Sequence, residues 1–340
     1  MNDSAKFVLS KRILLRQFGE IQKHADVVSY SAKTNYEVAK LLEGLTGCFF
    51  SVHSFDDLEK IKDKKRVWFL AQAWNEKELE RLFSLCVENF VVDNQKDLDV
   101  LLNNCKKKIN ILLRMRLKEH TVNTGKHFVY GFFSHQVNKL IPELRKNSSI
   151  KKLGIHFHRK TQNISEWSLK EELEQVLDKK VLESIDIVNM GGGIPVKYKN
   201  FNAEVLDSIF SEIKTLRSWL KKHDISLIIE AGRFIAAPSI KLVATIRNIY
   251  DNNIIVNCSV YNSSMDTFIS HIRLEVENEL EKGESFTIKG QTPCSMDIFR
   301  YRVFLKNPKV GDKITFLNAG AYNFTSDFCS LKKLETEIID

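Results

Sequence analysis

Proline and glycine are scarce in this sequence, at 5 and 14 of 340 residues. Because these residues break regular structure, we expect few long irregular loops. No apolar run approaches the ~18 residues that a membrane-spanning helix needs. The start, MNDSAKFVLSKRILL, is polar and then amphipathic, which is not typical of a signal peptide. The sequence therefore predicts a cytoplasmic protein that neither spans nor binds a membrane.

The six cysteines form no CxxC pair, which disfavours a zinc ribbon or a redox motif and predicts reduced thiols. The formal net charge is +8. The lysines are spread along amphipathic segments such as LEKIKDKKR, and no aromatic residues alternate with them to form a stacking platform. We therefore expect no nucleic-acid partner, although a positive field attracts anionic ligands.

Short apolar runs alternate with longer amphipathic ones over most of the chain. Buried parallel strands and covering helices produce this pattern, and about eight such units favour a closed barrel over an open sheet. After Pro238 the pattern becomes strand-like, as in IKLVATIRNIY and ESFTIKGQ. The predicted fold class is α/β, with a TIM-like (β/α)8 barrel over residues 16–238. A β-rich domain formed by 1–15 and 239–340 is predicted to serve substrate binding and dimerisation.

Polar residues of unusual type stand where the predicted barrel strands end, and functional residues of such barrels cluster at that edge. They are Lys33 after ADVVSYSA, Arg114 after INILL, His156 and His158 in GIHFH, Gly191–Gly193 after IDIVNM, and Glu230 with Arg233 in EAGR. We therefore expect these side chains to form one site.

Lys33 and the three glycines suggest a specific chemistry. A lysine that closes an apolar strand is desolvated, which lowers the pKa of its amine and favours Schiff-base formation. The alternative is a lysine that extends into solvent at the barrel rim. Glycines after a strand offer N–H groups to a phosphate, or else simply form a tight turn.

Glu230 and Arg233 lie close together in the sequence, and arginine binds phosphate through two parallel hydrogen bonds. The alternative is a structural ion pair at the end of a strand. His156 and His158 leave their strand on the same side, so that one of them can stack on a ring. A metal site is disfavoured because no carboxylate accompanies the histidines at ligand spacing. No metal is therefore predicted.

Seven segments, in family order, resemble those of the fold-type III pyridoxal-phosphate decarboxylases, the ornithine, diaminopimelate and arginine decarboxylase family. They are YSAKTN, LLRMR, GIHFHRKTQ, NMGGGIP, EAGR, GQTPCSMD and GAYNFTSDF. The resemblance runs through most of the chain. It implies an alanine racemase-like barrel, pyridoxal 5′-phosphate as cofactor and a homodimer whose active sites are shared between subunits.

The resemblance also implies a role for each matching residue. Lys33 would hold the cofactor as a Schiff base, His158 would stack on its ring, and Glu230 would keep the pyridine nitrogen protonated. Arg114 would lie near the cofactor. The residues that would hold or adjoin the phosphate are Thr161, Gly192, Gly193, Gly232, Arg233 and Tyr322.

The chain departs from the family at two acidic positions. The family motif runs Gly-Pro-x-Cys-Asp or Glu, with an Asp three residues later, and this chain reads GQTPCSMD. Without a gap Pro293 takes the cysteine position, and with a shift of one residue Cys294 is the catalytic cysteine and Ser295 replaces the acid. Asp297 remains in either alignment. In VNCSVYNSSMD, Cys258 stands where the family has an aspartate, and Asp266 is the nearest acid.

The leading interpretation is an α-decarboxylase of a basic or amine-bearing amino acid, with Cys294 as the proton donor. Asp297, Asp266 and Cys258 are the candidate substrate residues. The alternatives are an amino-acid racemase of the same fold and a decarboxylase of a neutral or carrier-linked amino acid. A non-catalytic cofactor-binding protein is disfavoured, because such proteins end with the barrel and this chain continues.

Overall fold

The computed structural model describes residues 4–117 and 130–340. The chain divides into two compact units by its internal contacts. The barrel unit comprises Gly19–Pro195 and Glu204–Gly232, and the sheet unit comprises Met1–Phe18, Val196–Ala203 and Arg233–Asp340.

The chain begins with strand β1 (Lys6–Ser10) and helix α1 (Lys11–His24). The barrel unit then alternates strands and helices, and its eight strands close into a parallel barrel in sequence order. The strands are β2 (Val27–Ser31), β3 (Phe49–Val52), β4 (Val67–Phe69), β5 (Asn89–Val92), β6 (Ile109–Arg114), β7 (Ile150–His156), β8 (Ile187–Asn189) and β9 (Ser226–Ile229). The helices are α2 (Tyr36–Leu45), α3 (Phe55–Glu59), α4 (Glu76–Ser84), α5 (Gln95–Asn104), α6 (Ser134–Leu144), α7 (Leu169–Val176), α8 (Lys179–Leu182) and α9 (Leu206–Lys221).

The barrel closes where β2 pairs with β9, with Val27 opposite Ile228 and Val28 opposite Ile229. A buried apolar cluster contains side chains contributed by several barrel strands, including Trp68, Val91 and Leu112. Strands that are buried on both faces need such continuous apolar runs, which is why the sequence pattern identified them. The predicted (β/α)8 barrel is confirmed.

Two helices of the barrel unit begin at a residue whose side chain caps them. The Ser54 hydroxyl accepts a hydrogen bond from the Asp57 N–H at 3.1 Å and caps α3. Asn75 and Glu78 form a reciprocal capping box at the start of α4. Such caps satisfy N–H groups that have no partner inside the helix, so they fix the residue at which each helix begins.

The sheet unit contains a mostly antiparallel sheet in which β1 pairs with a strand from the C-terminal part of the chain. Its other elements are α10 (Arg233–Ser239), β10 (Ile240–Tyr250), β11 (Asn253–Val256), α11 (Val260–Ser263), α12 (Asp266–Ile269), β12 (Glu275–Val276), β13 (Ser285–Lys289), β14 (Ile298–Phe304), β15 (Lys313–Leu317) and β16 (Glu335–Ile339). The main path runs β12-β15-β10-β11-β13-β14, and β1 pairs with β10 and β16.

The structure differs from the sequence-based expectation in several elements. The amphipathic segment SEWSLKEELEQVLDKKVL has the pattern of one helix but forms two, α7 and α8, because Leu177 adopts an extended conformation between them. The helices α10, α11 and α12 and the strands β12, β14 and β16 were not predicted. Val196–Ala203, inside the predicted barrel range, belongs to the sheet unit, where the Lys199 N–H donates to the Arg273 carbonyl.

No helix among the described residues is both long and apolar enough to cross a membrane.

Candidate active site

Lys33 lies directly beyond β2, in a short 3-10 turn formed by Ala32–Thr34. Asn35 ends this turn and caps α2, since its side-chain oxygen accepts hydrogen bonds from the Glu37 and Val38 N–H groups at 3.0 and 3.2 Å. The Lys33 side chain is exposed. Surrounding protein nevertheless desolvates its amine and lowers its pKa, an effect that Glu230 opposes and Arg114 reinforces. A lowered pKa increases the fraction of neutral, nucleophilic amine.

Glu230 follows β9 and is 8% exposed. Its Oε1 accepts a hydrogen bond from Asn189 Nδ2 at 2.8 Å, and its Oε2 lies 3.5 Å from His156 Nε2. Burial alone would raise the pKa of this carboxyl. The neighbouring imidazoles of His156 and His53 and a hydrogen bond from Ser51 outweigh burial and hold the pKa well below its usual range. Glu230 is therefore a buried carboxylate that stays ionised.

His158 lies two residues beyond β7, and its Nδ1 accepts a hydrogen bond from the Gly192 N–H at 3.2 Å. The His158 side chain is exposed, but the surrounding protein and the nearby charge of Arg114 still lower its pKa. Both observations indicate a neutral ring that carries its proton on Nε2, because a protonated Nδ1 cannot accept. The ring is thus held by the same glycine turn that the sequence associated with phosphate.

The glycine turn, Gly191–Gly193, follows β8 and needs its glycines for conformation and space. Gly191 and Gly193 have φ of 66° and 100°. A Cβ on Gly192 would lie 2.6 Å from the Glu230 carbonyl oxygen. The Gly193 carbonyl accepts from the Asn163 N–H at 2.9 Å, which ties the segment containing Thr161 to this turn. At Gly232 a Cβ would lie 2.3 Å from Thr34 Oγ1, so glycine allows this close approach beside Lys33.

Arg114 ends β6, and its guanidinium carbon lies 5.6 Å from the ring centre of Tyr130. Its charge lowers the pKa of both Lys33 and His158. The barrel unit therefore brings together Lys33, Arg114, His158, the glycine turn and Glu230.

The predicted site residues of the sheet unit form two groups. In the first, Arg233 and Asp266 are a buried ion pair, 5% and 3% exposed. The Arg233 guanidinium also donates to the Tyr198 hydroxyl at 3.1 Å and lies 5.2 Å from the ring centre of Tyr322. Burial alone would lower the pKa of Arg233, but Tyr198 and Asp266 raise it. Asp266, predicted as a substrate residue, is therefore the counter-ion of Arg233.

The second group surrounds Asp297, which is 1% exposed. Its Oδ1 accepts from the Val260 N–H at 2.9 Å. Its Oδ2 accepts from the Thr292 N–H at 3.1 Å and from the Thr292 hydroxyl at 2.6 Å. The carboxylate thus fastens its own loop, through Thr292, to the start of α11, at Val260. Cys258 is fully buried nearby, and burial raises the pKa of its thiol to about 12.

Cys294 lies on the loop that Asp297 holds and is partly exposed. Its sulfur lies 3.1 Å from the Tyr261 hydroxyl, and the Tyr261 ring stacks on Phe328 with ring centres 4.0 Å apart. The thiol is therefore positioned by a tyrosine that is itself packed.

Sequence reasoning assigned no role to four residues that these contacts single out: Ser51, His53, Asn189 and Tyr198. Asn189 lies within the NMGGGIP segment, and its place as the last polar residue before the glycines is a usable signal. His53 directly follows β3, another strand end. Tyr198 gave no signal, because nothing in its local sequence points to Arg233.

The residues of the barrel unit fit a phosphorylated pyridine aldehyde. They offer a desolvated amine for the aldehyde, a buried ionised carboxylate for a protonated ring nitrogen and a glycine turn whose conformation excludes side chains. No group of three or more histidine, cysteine, aspartate or glutamate side chains that could hold a metal is present in the described part of the chain. Fold and site define a pyridoxal-type barrel protein.

The chain belongs to the pyridoxal-dependent decarboxylases, because the model of that family's pyridoxal-binding domain matches residues 12–237. The expected family and its cofactor, pyridoxal 5′-phosphate, are thereby confirmed.

Individual relatives agree with this placement. A diaminopimelate decarboxylase of Halalkalibacterium halodurans is 26% identical over 50% of this chain, and the match spans 44% of that relative's length. A 2-[(L-alanin-3-ylcarbamoyl)methyl]-2-hydroxybutanedioate decarboxylase of Staphylococcus aureus is 24% identical over 87% of this chain and 82% of its own. The crystal structure of diaminopimelate decarboxylase from Helicobacter pylori complexed with L-lysine superposes with a TM-score of 0.84. It is 18% identical and covers 100% of this chain and 92% of its own, which supports the fold.

Proposed function

We propose that this protein is a carboxy-lyase that removes the α-carboxyl group of an amino acid, with Lys33 holding pyridoxal phosphate as a Schiff base. The observation that carries the proposal is that Lys33 and the buried, ionised Glu230 directly follow two paired strands, β2 and β9, at the same end of the barrel, where the surroundings also lower the pKa of the Lys33 amine. An amine without that carboxylate would form a Schiff base but would lack a group to balance a protonated pyridine ring.

When bound, the cofactor supplies an electron sink for the electron pair left at Cα as CO2 departs. The protein's part is to bind and orient. Glu230 holds a proton on the ring nitrogen, since its own pKa is far too low to take that proton itself. The neutral ring of His158 provides an uncharged stacking surface. Thr161, the glycine turn, Arg233 and Tyr322 are proposed for the phosphate, and Cys294 is proposed to return a proton to Cα.

The substrate that we favour carries an amine on its side chain, in keeping with relatives named diaminopimelate decarboxylase. Amino-acid racemisation is the competing reaction on this fold. The two differ in their products, because decarboxylation releases CO2 whereas racemisation only inverts Cα.

A second candidate is an amino acid with a neutral or acyl-linked tail. The observation in its favour is that Asp266 is paired with Arg233 and that both Asp297 oxygens accept internal hydrogen bonds. Carboxylates that already bind groups of the protein are poor partners for the ammonium group of a substrate. Such an ammonium group is costly to bury without a counter-ion. The staphylococcal relative is named for an amide-linked substrate.

We further propose a homodimer in which each active site takes residues from both subunits, with Cys294 and Asp297 contributed across the interface. The family resemblance supports this arrangement, and a mixing experiment with inactive variants described below tests it.

The test of the central proposal is reductive trapping. Purified protein incubated with pyridoxal phosphate and borohydride should acquire a stable adduct at Lys33, located by peptide mass mapping. Lys33→Ala should lose the adduct and all CO2 release from a panel of basic, neutral and amide-linked amino acids. Lys40→Ala, a change of an exposed lysine on the neighbouring helix α2, is the matched control and should keep both. A Lys33→Ala protein that retained the reducible adduct would refute the proposal.

A further inference from the structure

Asn189, the last residue of β8, is completely buried and bonds in two directions. Its side-chain oxygen accepts a hydrogen bond from the Gly191 N–H at 2.9 Å. Its side-chain nitrogen donates to Glu230 Oε1 at 2.8 Å. One amide group therefore joins the first residue of the glycine turn to the buried carboxylate.

The strand register explains this position. Asn189 is opposite His156 on β7 and opposite Ile228 on β9. Glu230 is two residues beyond Ile228, so its side chain leaves on the same side as that of Ile228. The Glu230 N–H also donates to the Gly191 carbonyl at 2.8 Å, which extends the backbone pairing beyond the strand ends. Asn189 and His156 therefore contact the two oxygens of the carboxylate separately.

The amide is the side chain that satisfies both partners. It needs an acceptor toward a backbone N–H and a donor toward an ionised carboxylate, and asparagine presents one of each. A leucine, which is branched in the same way but larger, would leave the buried Gly191 N–H unpaired and would remove one donor from Glu230, each of which is unfavourable. An aspartate would keep the acceptor for Gly191 and place a second negative charge against Glu230.

We infer that Asn189 is a positioning residue that couples the phosphate end of the cofactor site, at Gly191–Gly193, to the ring-nitrogen end, at Glu230. This inference rests on the function proposed above. It adds that the two ends are set by one side chain, so that a change at Asn189 that removes both hydrogen bonds disturbs recognition of the phosphate and of the ring nitrogen together.

The test compares three ligands by calorimetric titration of the full-length protein. They are pyridoxal phosphate, pyridoxal (which lacks the phosphate) and an analogue of pyridoxal phosphate in which carbon replaces the ring nitrogen. Two affinity ratios follow. The phosphate ratio is the Kd of pyridoxal divided by that of pyridoxal phosphate. The ring ratio is the Kd of the carbon analogue divided by that of pyridoxal phosphate.

Asn189→Leu should reduce both ratios by about tenfold, because a hydrogen bond to a charged group is lost at one end and an N–H is left unpaired at the other. Asn189→Asp should reduce the ring ratio while the phosphate ratio stays near that of the wild type. The matched control is Asn110→Leu, at a β6 asparagine that donates to Asn89 Oδ1 and not to any site residue. It should change neither ratio.

If Asn189 had only a structural role, Asn189→Leu would weaken the binding of all three ligands equally. Both affinity ratios would then stay unchanged, and that result would overturn the inference. The inference would also be overturned if Asn110→Leu reduced both ratios as much as Asn189→Leu does. If Asn189→Leu does not fold, the Asn189→Asp titration decides alone, and an unchanged ring ratio there counts against the coupling. Failure of the wild type to bind pyridoxal phosphate at Lys33 would instead remove the proposed function.

Discussion

Arg233 and Asp266 form an ion pair that is almost completely buried, and a tyrosine hydroxyl and a tyrosine ring complete its surroundings. The pair connects α10 to α12 within the sheet unit. Because burial of a charge is costly unless a partner compensates it, each member depends on the other. Asp266 is consequently engaged before any substrate arrives.

Removal of Asp266 alone should strongly destabilise the protein. Asp266→Ala leaves the Arg233 guanidinium buried without its counter-ion, and breaking a buried pair in this way typically costs ~3–5 kcal/mol of unfolding free energy. Glu337→Ala, which removes an exposed partner of Lys6 in the same unit, should cost ~0–1 kcal/mol. Urea unfolding of the cofactor-free proteins measures both. Equal stabilities of the two variants would contradict the structural importance of the pair.

Asp297→Asn should destabilise the loop that carries Cys294. The asparagine side chain has one oxygen that accepts hydrogen bonds, whereas the aspartate has two. At least one buried donor of Val260 or Thr292 therefore loses its partner, at a cost of ~1–3 kcal/mol of unfolding free energy. Asp312→Asn is the control, because that exposed carboxylate accepts one N–H, from Lys309 at 2.8 Å. Thermal unfolding compares the two, and an unchanged melting temperature for Asp297→Asn would count against this role.

The kinetics of Asp297→Asn distinguish the two substrate candidates. If Asp297 also binds a substrate amine, the variant should raise KM more than it lowers kcat, as loss of ground-state binding does. An unchanged KM, together with lost stability, would favour a substrate whose tail is not cationic. Asp266→Asn, assayed in parallel, extends the comparison to the other predicted acid.

The stability of the cofactor-free protein should fall on mild acidification because of His53. Burial lowers the pKa of this imidazole from 6.5 to about 3. The unfolded chain therefore binds the proton first, and the stability contributed by neutral His53 is present above about pH 6.5 and lost as the pH falls toward 3. Urea unfolding at about pH 7.5 and pH 5 should show a larger loss for the wild type than for His53→Gln. Equal losses would contradict the lowered pKa.

Mixing two inactive variants should restore activity if the active sites are shared. A hybrid of Lys33→Ala and Cys294→Ala subunits would have one site with both defects and one with none. Random exchange of equal amounts should yield about a quarter of the wild-type activity. Lys33→Ala mixed with Glu230→Gln is the control, since both changes lie in the barrel unit and no intact site results. No recovery, with subunit exchange verified by mass spectrometry, would count against the shared site.

Much of the barrel could be predicted from local sequence. Apolar runs such as VVSYS and INILLR are too short for helices of the observed length and too apolar for exposed strands, which left buried parallel strands as the consistent interpretation. The caps at Ser54 and Asn75 followed from their own side chains. The sheet unit was harder, because β12 has only two residues and α11, although Ser259 caps it, has only four residues and is too short to show a helical period.

Local sequence is enough to show which polar side chains stand at the ends of barrel strands, since periodicity indicates where a strand ends and parallel strands end at a common edge. Lys33, Arg114, His158 and Glu230 were all found in this way. Which of these groups form pairs depends on the folded chain. Asn189 is 41 residues from Glu230, and Arg233 is 33 residues from Asp266. Contacts at such separations depend on strand register and on how loops pack, to within the ~3 Å of a hydrogen bond, and local sequence preferences do not specify distances of that kind.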